Sequence, residues 1–516
     1  MSRDHKPFPY RSAPGLSAPE PRHPVVVVGA GPIGLALALD LAQRGQRVVL
    51  LDDNDVVSVG SRAICWSKRS LEILDRLGVG ERCVAKGVTW KVGRTFHRDT
   101  QVFEFDLQPE AGHKMPAFVN LQQYHVETYL AEAALASPRI DLRFRNRVTG
   151  IVPQDDHAAL SVETPEGNYA LEAAWVVACD GARSPIRGML GLDFAGELFE
   201  ERFLIADIEM QADFPAERRF WFEPTFHPGQ SALLHKQPDN IWRIDLQLGW
   251  DVDPEAEKRP ERVIPRIERM IGHRDFRLDW VSVYTFQCRR LARFVHGPVI
   301  FCGDSAHVVS PFGARGGNGG MEDVAALGWR LAAVLEGVAR PGILAAYDRE
   351  RTFGADENIL NSTRATRFLT PAAGAPRLFR DAVLALAAEA EFARPMVNSG
   401  RLSKPCVYPL DAPDDPRLPV AARPGAVAPD APQGAGWLGE ALGSQVTLLA
   451  VGCAAPETGL RVLDAEVNEA VADRYLGDAG RALYLIRPDQ VIAARWVGAT
   501  AAEIAAAGRA LWEEPA

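Results

Sequence analysis

The stretch VVVVGAGPIGLALALDLAQRG, residues 25–45, decides the fold of this 516-residue chain. Its four valines form a short β-branched run that is typical of a strand buried on both faces of a sheet. An apolar helix follows the glycine turn and ends at Gly45, and the run RVVLLDD then provides a second strand. Together these segments predict a β-α-β unit and therefore an α/β fold.

The turn carries three glycines, and an acid ends the second strand. Gly29 permits the tight turn, Gly31 lets the backbone approach a pyrophosphate, and Gly34 lets the helix pack on the strand. The helix N-terminus offers N–H groups to that pyrophosphate, and an acid at the position of Asp52 binds a ribose hydroxyl. We therefore predict that this turn binds a dinucleotide.

Two later motifs repeat the order of apolar run, acid beside glycine, and helix. ACDGARSPIRGMLG, residues 178–191, contains Asp180, and FCGDSAHVVSPFGARGGNGG, residues 301–320, contains Gly303 and Asp304. The glycines of the second stretch leave its backbone free to lie against a flat ligand and to present N–H groups to it. We expect a long amphipathic helix to begin at Gly320 and to end at Leu335.

These three ordered motifs resemble those of class A flavoprotein aromatic monooxygenases, the para-hydroxybenzoate hydroxylase family. The resemblance runs from Pro24 to the C-terminus and implies non-covalent FAD. It places an arginine and a glutamine near the flavin, backbone N–H groups at the isoalloxazine ring and a proline beside the site of oxygen reaction. The residues expected to bind the cofactor are Gly29, Gly31, Gly34, Asp52, Arg62, Gln123, Asp180, Gly303, Asp304, Pro311, Gly316, Gly317 and Asn318.

The resemblance also implies the reaction. Family members consume NADH or NADPH and O2, and they hydroxylate a phenolic or related aromatic ring through a flavin C4a-hydroperoxide. The branch most similar to this chain contains the 3-(3-hydroxyphenyl)propionate and phenol hydroxylases. Only one dinucleotide fingerprint is present, so the nicotinamide cofactor has no domain of its own, and no motif chooses between NADH and NADPH.

Changes of pattern divide the chain into an α/β, Rossmann-like FAD-binding domain and smaller parts. An antiparallel sheet is expected to be inserted between two parts of that domain and to form the roof of the substrate pocket. The C-terminal segments PGAVAPDAPQ and LYLIRPDQVIAARW resemble a thioredoxin-like domain without its C-x-x-C pair, for which we expect a packing or dimer-contact role. The expected boundaries are 1–23 for an N-terminal arm, 24–195 and 285–405 for the FAD-binding domain, 196–284 for the substrate sheet, 406–436 for a linker and 437–516 for the thioredoxin-like domain.

Three residues of the inserted sheet are candidates for the substrate pocket. Trp221 is suited to stacking on a ring, and His235 and Arg243 are suited to gripping an anionic or phenolic group. Strand alternation places Phe220 and Phe222 on one face and Trp221 on the other, which leaves open the face that looks inward.

No catalytic base is assigned. His307 lies in the Gly-Asp motif, at a position that is structural in the family that the chain resembles. A general base or a hydrogen-bond relay is nevertheless expected, because a phenol is activated by the loss of its proton.

Composition narrows the classes of protein and of partner. A formal net charge of −10 argues against a nucleic-acid partner, and no apolar run is long enough to span a bilayer. Seven scattered cysteines without a C-x-x-C spacing favour a reducing cytoplasm and argue against a zinc site and against disulfide-reductase chemistry. A homodimer is left open.

Three other functions stay open. Polyketide-type tailoring hydroxylases of natural products share the same architecture. A halogenase or a non-oxygenating flavin enzyme is a further alternative, although the halogenase pattern W-x-W-x-I-P is absent. A flavin-binding sensor without turnover belongs to a different class, and substrate-stimulated oxidation of NADH or NADPH would separate it from an enzyme.

Overall fold

The structure of the chain, a computed structural model, describes residues 6–58, 62–108, 110–397 and 402–513, with only the backbone of Glu200. The strands in these ranges are β1 His23–Val28, β2 Val48–Leu51, β3 Cys65–Ser67, β4 Val88–Trp90, β5 Val92–His97, β6 Thr100–Asp106, β7 Phe118–Asn120, β8 Ile140–Arg143, β9 Arg147–Pro153, β10 Ala158–Thr164, β11 Gly167–Ala178, β12 Ala195–Glu209, β13 Arg218–Phe222, β14 Ser231–Lys236, β15 Ile241–Gln247, β16 Arg277–Arg290, β17 Val295–His296, β18 Val299–Phe301, β19 His307–Val308, β20 Pro432–Gln433, β21 Gly436–Trp437, β22 Thr447–Val451, β23 Arg461–Ala465, β24 Ala482–Ile486 and β25 Ile492–Trp496.

The α-helices of the same ranges are α1 Pro32–Gln43, α2 Lys68–Arg76, α3 Gly80–Lys86, α4 Gln123–Ala136, α5 Pro185–Met189, α6 Pro254–Glu257, α7 Pro260–Ile271, α8 Gly316–Leu335, α9 Leu344–Leu369, α10 Ala375–Glu389, α11 Leu438–Leu442, α12 Glu469–Val471 and α13 Ala501–Ala510. Short 3-10 turns occupy Pro14–Leu16, Gly303–Ser305, Pro341–Ile343, Glu391–Met396 and Val420–Ala422, and a π-helical turn occupies Ala472–Leu476. Within the described ranges, no helix is both long and apolar enough to cross a membrane.

The first sheet is the parallel α/β core that the sequence predicts. Its strand order is β17-β18-β11-β1-β2-β8, and the pairs from β18 to β8 are parallel. The central strand is covered on both faces, since Val25, Val26 and Val27 are fully buried. The β9–β10 hairpin extends β11, and α1 packs against both α4 and α8.

The second sheet has the order β19-β16-β12-β15-β14-β13-β5-β6 and is antiparallel except between β13 and β5. It extends beyond the expected range 196–284, because β5 and β6 come from residues 92–106 and β16 continues to Arg290. Local patterns do not reveal such pairing between distant segments. The helix α7 covers one face of this sheet, where Val263 and Ile267 pack among Leu234 and Ile244.

The N-terminal arm and the predicted linker both pack against the rest of the chain. The ring of Phe8 stacks on Phe144 at 4.6 Å between centroids, and residues 1–5 of the arm lie outside the described residues. In the linker range 406–436, the Gly425 N–H donates to the Ile492 carbonyl at 2.8 Å. The proline-rich segment therefore runs along β25.

The C-terminal unit is a four-stranded mixed sheet, β23-β22-β24-β25, and a buried ion-pair network joins it to the first domain. Arg487 donates to both carboxylate oxygens of Glu350 at 2.7 and 2.9 Å, and Arg330 donates to the same carboxylate at 2.8 Å. Each of these side chains is less than a tenth exposed. Burial requires such charges to be paired, so the network fixes the C-terminal unit on α8 and α9.

Candidate active site

Four loops leave the same edge of the first sheet. The terminal residues Val28 of β1, Ala178 of β11 and Phe301 of β18 are neighbours in register, and Val28 also pairs with Leu51 of β2. Since these strands are parallel, the loops that follow them meet at the carboxyl edge, which is where open α/β sheets bind ligands. The structure therefore brings the glycine turn, Asp52, the Asp-Gly motif and the Gly-Asp motif together.

Each glycine of the first turn has a distinct physical requirement. Gly29 has φ +105°, and a Cβ there would lie 2.4 Å from the Cys179 carbonyl oxygen. A Cβ at Gly34 would lie 1.8 Å from the Gly29 oxygen, so the helix could not approach its strand. A Cβ at Gly31 would meet no atom within 4 Å, so the space beside this residue is open to a ligand.

Asp52 holds the same turn. Its carboxylate accepts hydrogen bonds from the N–H groups of Ala30 and Asn54. Burial raises the pKa of Asp52 to about 6, although both N–H donors act in the opposite direction. The acid is therefore placed at the end of β2, beside the turn, where an acid of this fold binds ribose.

Ile33, in the first turn of α1, joins the two glycine-rich regions. A Cβ at Gly303 would lie 3.1 Å from Ile33 Cγ1, and a Cβ at Gly320 would lie 2.6 Å from Ile33 Cδ1. The first turn of α1, the Gly-Asp motif and the first turns of α8 are thus in direct contact. Their proximity supports the prediction that one ligand spans both regions.

The Gly-Asp motif is anchored by a buried carboxylate that sequence reasoning missed. Asp323 on α8 accepts hydrogen bonds from the Gly303 N–H at 2.9 Å and from Arg351, and its Oδ2 lies 2.7 Å from His307 Nε2. Burial alone would raise the pKa of Asp323, but His307 and Arg351 hold it at about 2. His307 therefore contacts the carboxylate that holds the Gly303 N–H, and this contact agrees with a structural role for His307.

Asp304 lies beside that network, close enough for the charges of His307 and Asp323 to act on its carboxyl. Its side chain is exposed, while the protein that surrounds it raises the pKa of its carboxyl by desolvation. A side chain that reaches a cleft within the protein mass accounts for both observations. The carboxylate of Asp304 is thus available to a ligand at this edge of the sheet, and its contact with a ribityl chain stays a prediction.

Asp180 leaves one acceptor unused. Its Oδ2 accepts from the Ser184 hydroxyl and from the Ile186 N–H, while Oδ1 is buried and has no partner among the residues that the structure describes. Arg187 of the same motif donates to the Ser305 carbonyl at 2.9 Å, which ties the Asp-Gly loop to the Gly-Asp loop. A buried acceptor without a partner is costly, so the prediction that Asp180 contacts the cofactor would give Oδ1 the donor that it lacks.

The helix α8 begins at Gly316, four residues before the expected start at Gly320. The reason is a long-range link through the Asn318 side chain, which accepts from the Ser67 N–H and donates to the Cys65 carbonyl, both at 2.9 Å. Fixing this side chain to β3 stabilises a glycine-rich turn whose helical propensity is poor. The run predicted as a loop is therefore the first turn of the helix.

That first turn offers backbone donors. The first bond within the helix end runs from the Gly319 N–H to the Arg315 carbonyl at 2.8 Å, so the N–H groups of Gly316, Gly317 and Asn318 precede it. A Cβ at Gly316 would come no closer than 3.9 Å to a protein atom, and Pro311, just upstream, is exposed. The N-terminus of this 20-residue helix favours a group that carries negative charge.

Gln123 and Arg62 lie on neighbouring segments. Gln123 begins α4, accepts from the Ala63 N–H at 3.1 Å and donates to Glu127 at 2.7 Å. The Arg62 side chain is exposed, and its carbonyl accepts a hydrogen bond from Arg243 of the second sheet at 2.9 Å. These contacts place the segment between the two sheets, where a flavin contact is expected.

One face of the second sheet looks toward these loops. Phe220, Phe222 and Leu233 share a buried cluster with Phe312 of the Gly-Asp stretch. Trp221 lies on the opposite face, which α7 covers, and stacks on Phe96 with centroids 5.1 Å apart. The predicted alternation is thus observed, and the inward face carries Phe220 and Phe222.

His235 and Arg243 lie on the inward face, so the structure does not bring Trp221 together with them. His235 pairs with Arg243 between β14 and β15, and Arg218 of β13 continues the same row because Arg219 pairs with Leu234. Residues directly opposite in antiparallel strands share a face. Arg218 was missed, because the sequence RRFWFE does not distinguish its two arginines.

The residues present fit FAD. The open space at Gly31 and the N-terminus of α1 suit the pyrophosphate of FAD. Asp52 suits the ribose hydroxyl groups, and Asp304 suits those of the ribityl chain. The N-terminus of α8 suits the negative charge of the reduced isoalloxazine ring. Ile33 sets these parts side by side.

Comparisons with known proteins agree with this fit. Residues 22–362 match the family described as "FAD binding domain". The chain is 29% identical over 371 residues to the 3-(3-hydroxy-phenyl)propionate/3-hydroxycinnamic acid hydroxylase of Mycobacterium avium (strain 104), with 70% of this chain and 63% of that relative covered. The match therefore spans less than two thirds of that relative's length.

Two tetracycline-related proteins are also similar. The chain is 30% identical over 371 residues to the 12-dehydrotetracycline 5-monooxygenase/anhydrotetracycline 6-monooxygenase of Streptomyces rimosus subsp. rimosus, with 67% of this chain and 70% of that protein covered. The solved structure of OxyS anhydrotetracycline hydroxylase from Streptomyces rimosus superimposes with a TM-score of 0.74 at 26% identity, over 96% of this chain and 100% of that one. This chain belongs to the FAD-binding family of flavin monooxygenases that includes the class A aromatic hydroxylases.

Proposed function

We propose that the protein is a monooxygenase that uses NADH or NADPH and O2 to add one oxygen atom to a phenolic or related aromatic ring. The observation that carries the proposal is the inward face of the second sheet, which lies against the segments that fit the ring end of FAD. When bound, FAD supplies the activation of oxygen after its reduction by the nicotinamide cofactor.

The chain's own residues supply position, charge and exclusion of water. Backbone N–H groups at the start of α8 stabilise negative charge at the adjoining end of the cofactor. Phe203, Phe286 and Phe312 pack edge to face or tilted at 4.9–5.2 Å and form an apolar wall at the inward face. Such a wall keeps water from the reacting groups.

A tailoring hydroxylase of a polyketide-type natural product is the second candidate. The similarity to the tetracycline-related monooxygenase favours it as much as the similarity to the phenylpropionate hydroxylase favours ring catabolism. A cytoplasmic location, a homodimer and a thioredoxin-like assignment for the C-terminal unit belong to the same proposal.

The test is oxidation of NADH and of NADPH by the FAD-loaded protein in the presence of phenols, phenylpropanoids, hydroxypyridines and anthracycline-type or tetracycline-type polyketides, with product masses recorded. A compound that accelerates oxidation and gains one oxygen atom supports the proposal and selects between the two candidates. Faster oxidation that yields only hydrogen peroxide identifies a mimic. Absence of stimulation by every compound would favour a flavin-binding sensor.

A further inference from the structure

The N-terminal arm precedes the residues that match the FAD-binding family, yet it packs on the sheet that carries the cofactor-binding turn. The family match begins at residue 22, and the described part of the arm begins at residue 6. Two of its residues, Phe8 and Glu20, contact the end of β8. A segment loses conformational entropy when it is held on a domain, so these contacts must be strong enough to offset that loss.

Glu20 makes the first contact, a buried ion pair with the last residue of β8. Its carboxylate accepts hydrogen bonds from both Nη atoms of Arg143, at 2.9 and 2.7 Å, and the two side chains are 7% and 3% exposed. Burial alone would raise the pKa of Glu20, but Arg143 lowers it, so the carboxylate is charged at neutral pH. A bidentate pair of this kind is strong and has a fixed geometry.

Phe8 makes the second contact, on the loops that follow β8 and β2. Its ring stacks on Phe144 with 4.6 Å between centroids and 3° between the ring planes. Its N–H donates to the Asp55 carbonyl at 2.6 Å. Phe8 therefore joins the segment after β8 to residues 52–55, the loop that contains Asp52.

Both contacts act on Asp52 through residues 143–146. The Asp52 N–H donates to the Arg143 carbonyl at 3.0 Å, and the Asp52 carbonyl accepts from the Asn146 N–H at 2.7 Å. The side chains of Arg143 and Phe144 are the ones that the arm contacts. The backbone of Asp52 is thus held by a segment that the arm holds in turn.

The position of β8 explains why this support matters. β8 is the last strand on its side of the first sheet and pairs with β2, so the segment that continues it has a strand on one side only. Segments with few packed neighbours open locally at a low cost in free energy. Opening of residues 143–146 would release both backbone hydrogen bonds of Asp52, and the contacts of the arm oppose that opening.

We propose that the N-terminal arm is a cofactor-retention element, in which Phe8 and Glu20 are positioning residues for the acid that binds the ribose of FAD. The arm raises the affinity for FAD because it raises the fraction of molecules in which the loop 52–55 is ready to bind. The inference rests on the prediction that Asp52 binds the ribose. It does not depend on the proposed reaction, since FAD affinity is measured without substrate or nicotinamide.

The test measures the affinity of the apoprotein for FAD from the quenching of flavin fluorescence. Phe8→Ala and Glu20→Gln should each raise the dissociation constant roughly fivefold or more, as for a fall of the binding-competent fraction to about one in five. Arg22→Gln is the matched control, because Arg22 belongs to the arm but pairs with Asp156 through side chains that are 40% and 72% exposed. Unchanged FAD affinity in either arm variant, or an equal loss in Arg22→Gln, overturns the proposal.

FMN separates positioning from a general loosening of the fold. FMN has the ring and the ribityl chain of FAD but lacks the adenosine, so its binding does not need Asp52. The dissociation constant of FMN divided by that of FAD should fall about fivefold in Phe8→Ala, and Phe8→Tyr, which keeps a stacking ring, should restore the ratio. Loss of FAD and FMN affinity by the same factor would mean that the variant only loosens the domain, and it would overturn the proposal.

The same coupling must act in reverse. If the arm raises the affinity for FAD, bound FAD must hold the arm on the domain more tightly by the same factor. Arg11 and Ser12 are exposed, so trypsin cleavage after Arg11, followed by mass spectrometry, reports the release of the arm in the unmodified protein. FAD should slow this cleavage about fivefold or more, and equal rates with and without FAD would refute the coupling.

Discussion

Replacing Asp323 by asparagine should weaken both the fold and the FAD site. One carboxylate oxygen accepts from the Gly303 N–H and adjoins His307, and the other accepts from Arg351. An asparagine has one acceptor oxygen and one NH2 group. Either the Gly303 N–H or the Arg351 guanidinium would therefore face the NH2 group, which cannot accept its hydrogen bond. Removing one partner of a buried ion pair costs about 3–5 kcal/mol, out of roughly 5–15 kcal/mol for a typical protein.

Asp356→Asn is a matched control. Asp356 binds Arg290 through both oxygens at 2.6 and 2.8 Å, but its side chain is 56% exposed, and exposed pairs contribute about 0–1 kcal/mol. Urea unfolding of the FAD-loaded proteins at pH 7, followed by flavin release and by tryptophan fluorescence, measures both variants. Asp323→Asn should also bind FAD about tenfold or more weakly, since a lost charge-assisted bond frees the Gly303 turn. Equal losses in the two variants would refute the reasoning.

The same carboxylate makes the stability difference depend on pH. The pKa of Asp323 is about 2 in the folded protein, below the ordinary value of 3.8. A lowered pKa stabilises the fold above the ordinary value, and this contribution is lost as the pH falls through the folded value. The difference in free energy of unfolding between the unmodified protein and Asp323→Asn should be constant from pH 7 to 5 and should narrow between pH 4 and 2. A difference that is unchanged at pH 2 would contradict this assignment.

Gly320→Ala should destabilise the FAD-loaded protein by roughly 1–3 kcal/mol, because the new methyl would lie 2.6 Å from Ile33 Cδ1. Adding Ile33→Ala removes Cδ1 and also Cγ1, which would lie 2.9 Å from the methyl, and should restore part of the urea midpoint relative to Ile33→Ala alone; no recovery would argue against the contact. Asp304→Ala should release FAD on gel filtration, since ribityl hydroxyls lose their acceptor, and full FAD occupancy would exclude Asp304 from the site. Because burial raises the pKa of Asp52 to about 6, FAD affinity measured by flavin fluorescence should fall about tenfold per pH unit below that value and stay level above it, whereas Asp52→Asn should lack this dependence.

The parts of the site that follow from local sequence were predictable. Gly29, Gly31 and Gly34 are required by contacts within one strand, turn and helix, and the acids at 52, 180 and 304 each follow an apolar run. Because parallel strands end at the same edge of a sheet, these local elements also predict that the loops meet there.

Features that depend on distant segments were not predictable. The start of α8 at Gly316 depends on the hydrogen bonds of Asn318 to β3. The second sheet includes β5 and β6, which come from residues 92–106, far from its other strands in the sequence. Arg218 and Arg219 are equivalent in sequence, and only the packing of α7 on one face tells which arginine is buried against the loops. In each case, the deciding contact joins residues that no local pattern relates.

The contact of Ile33 with Gly303 and Gly320 sets an order of events during biosynthesis. The nucleotide-binding turn leaves the ribosome early, but Gly303 emerges only after β16, the last long strand of the second sheet, has been translated. A nascent chain that stops before β18 carries the fingerprint and has no cavity for the flavin. FAD therefore cannot be bound at both of its ends before the Gly-Asp stretch has been translated, and scarcity of riboflavin would leave complete chains without cofactor.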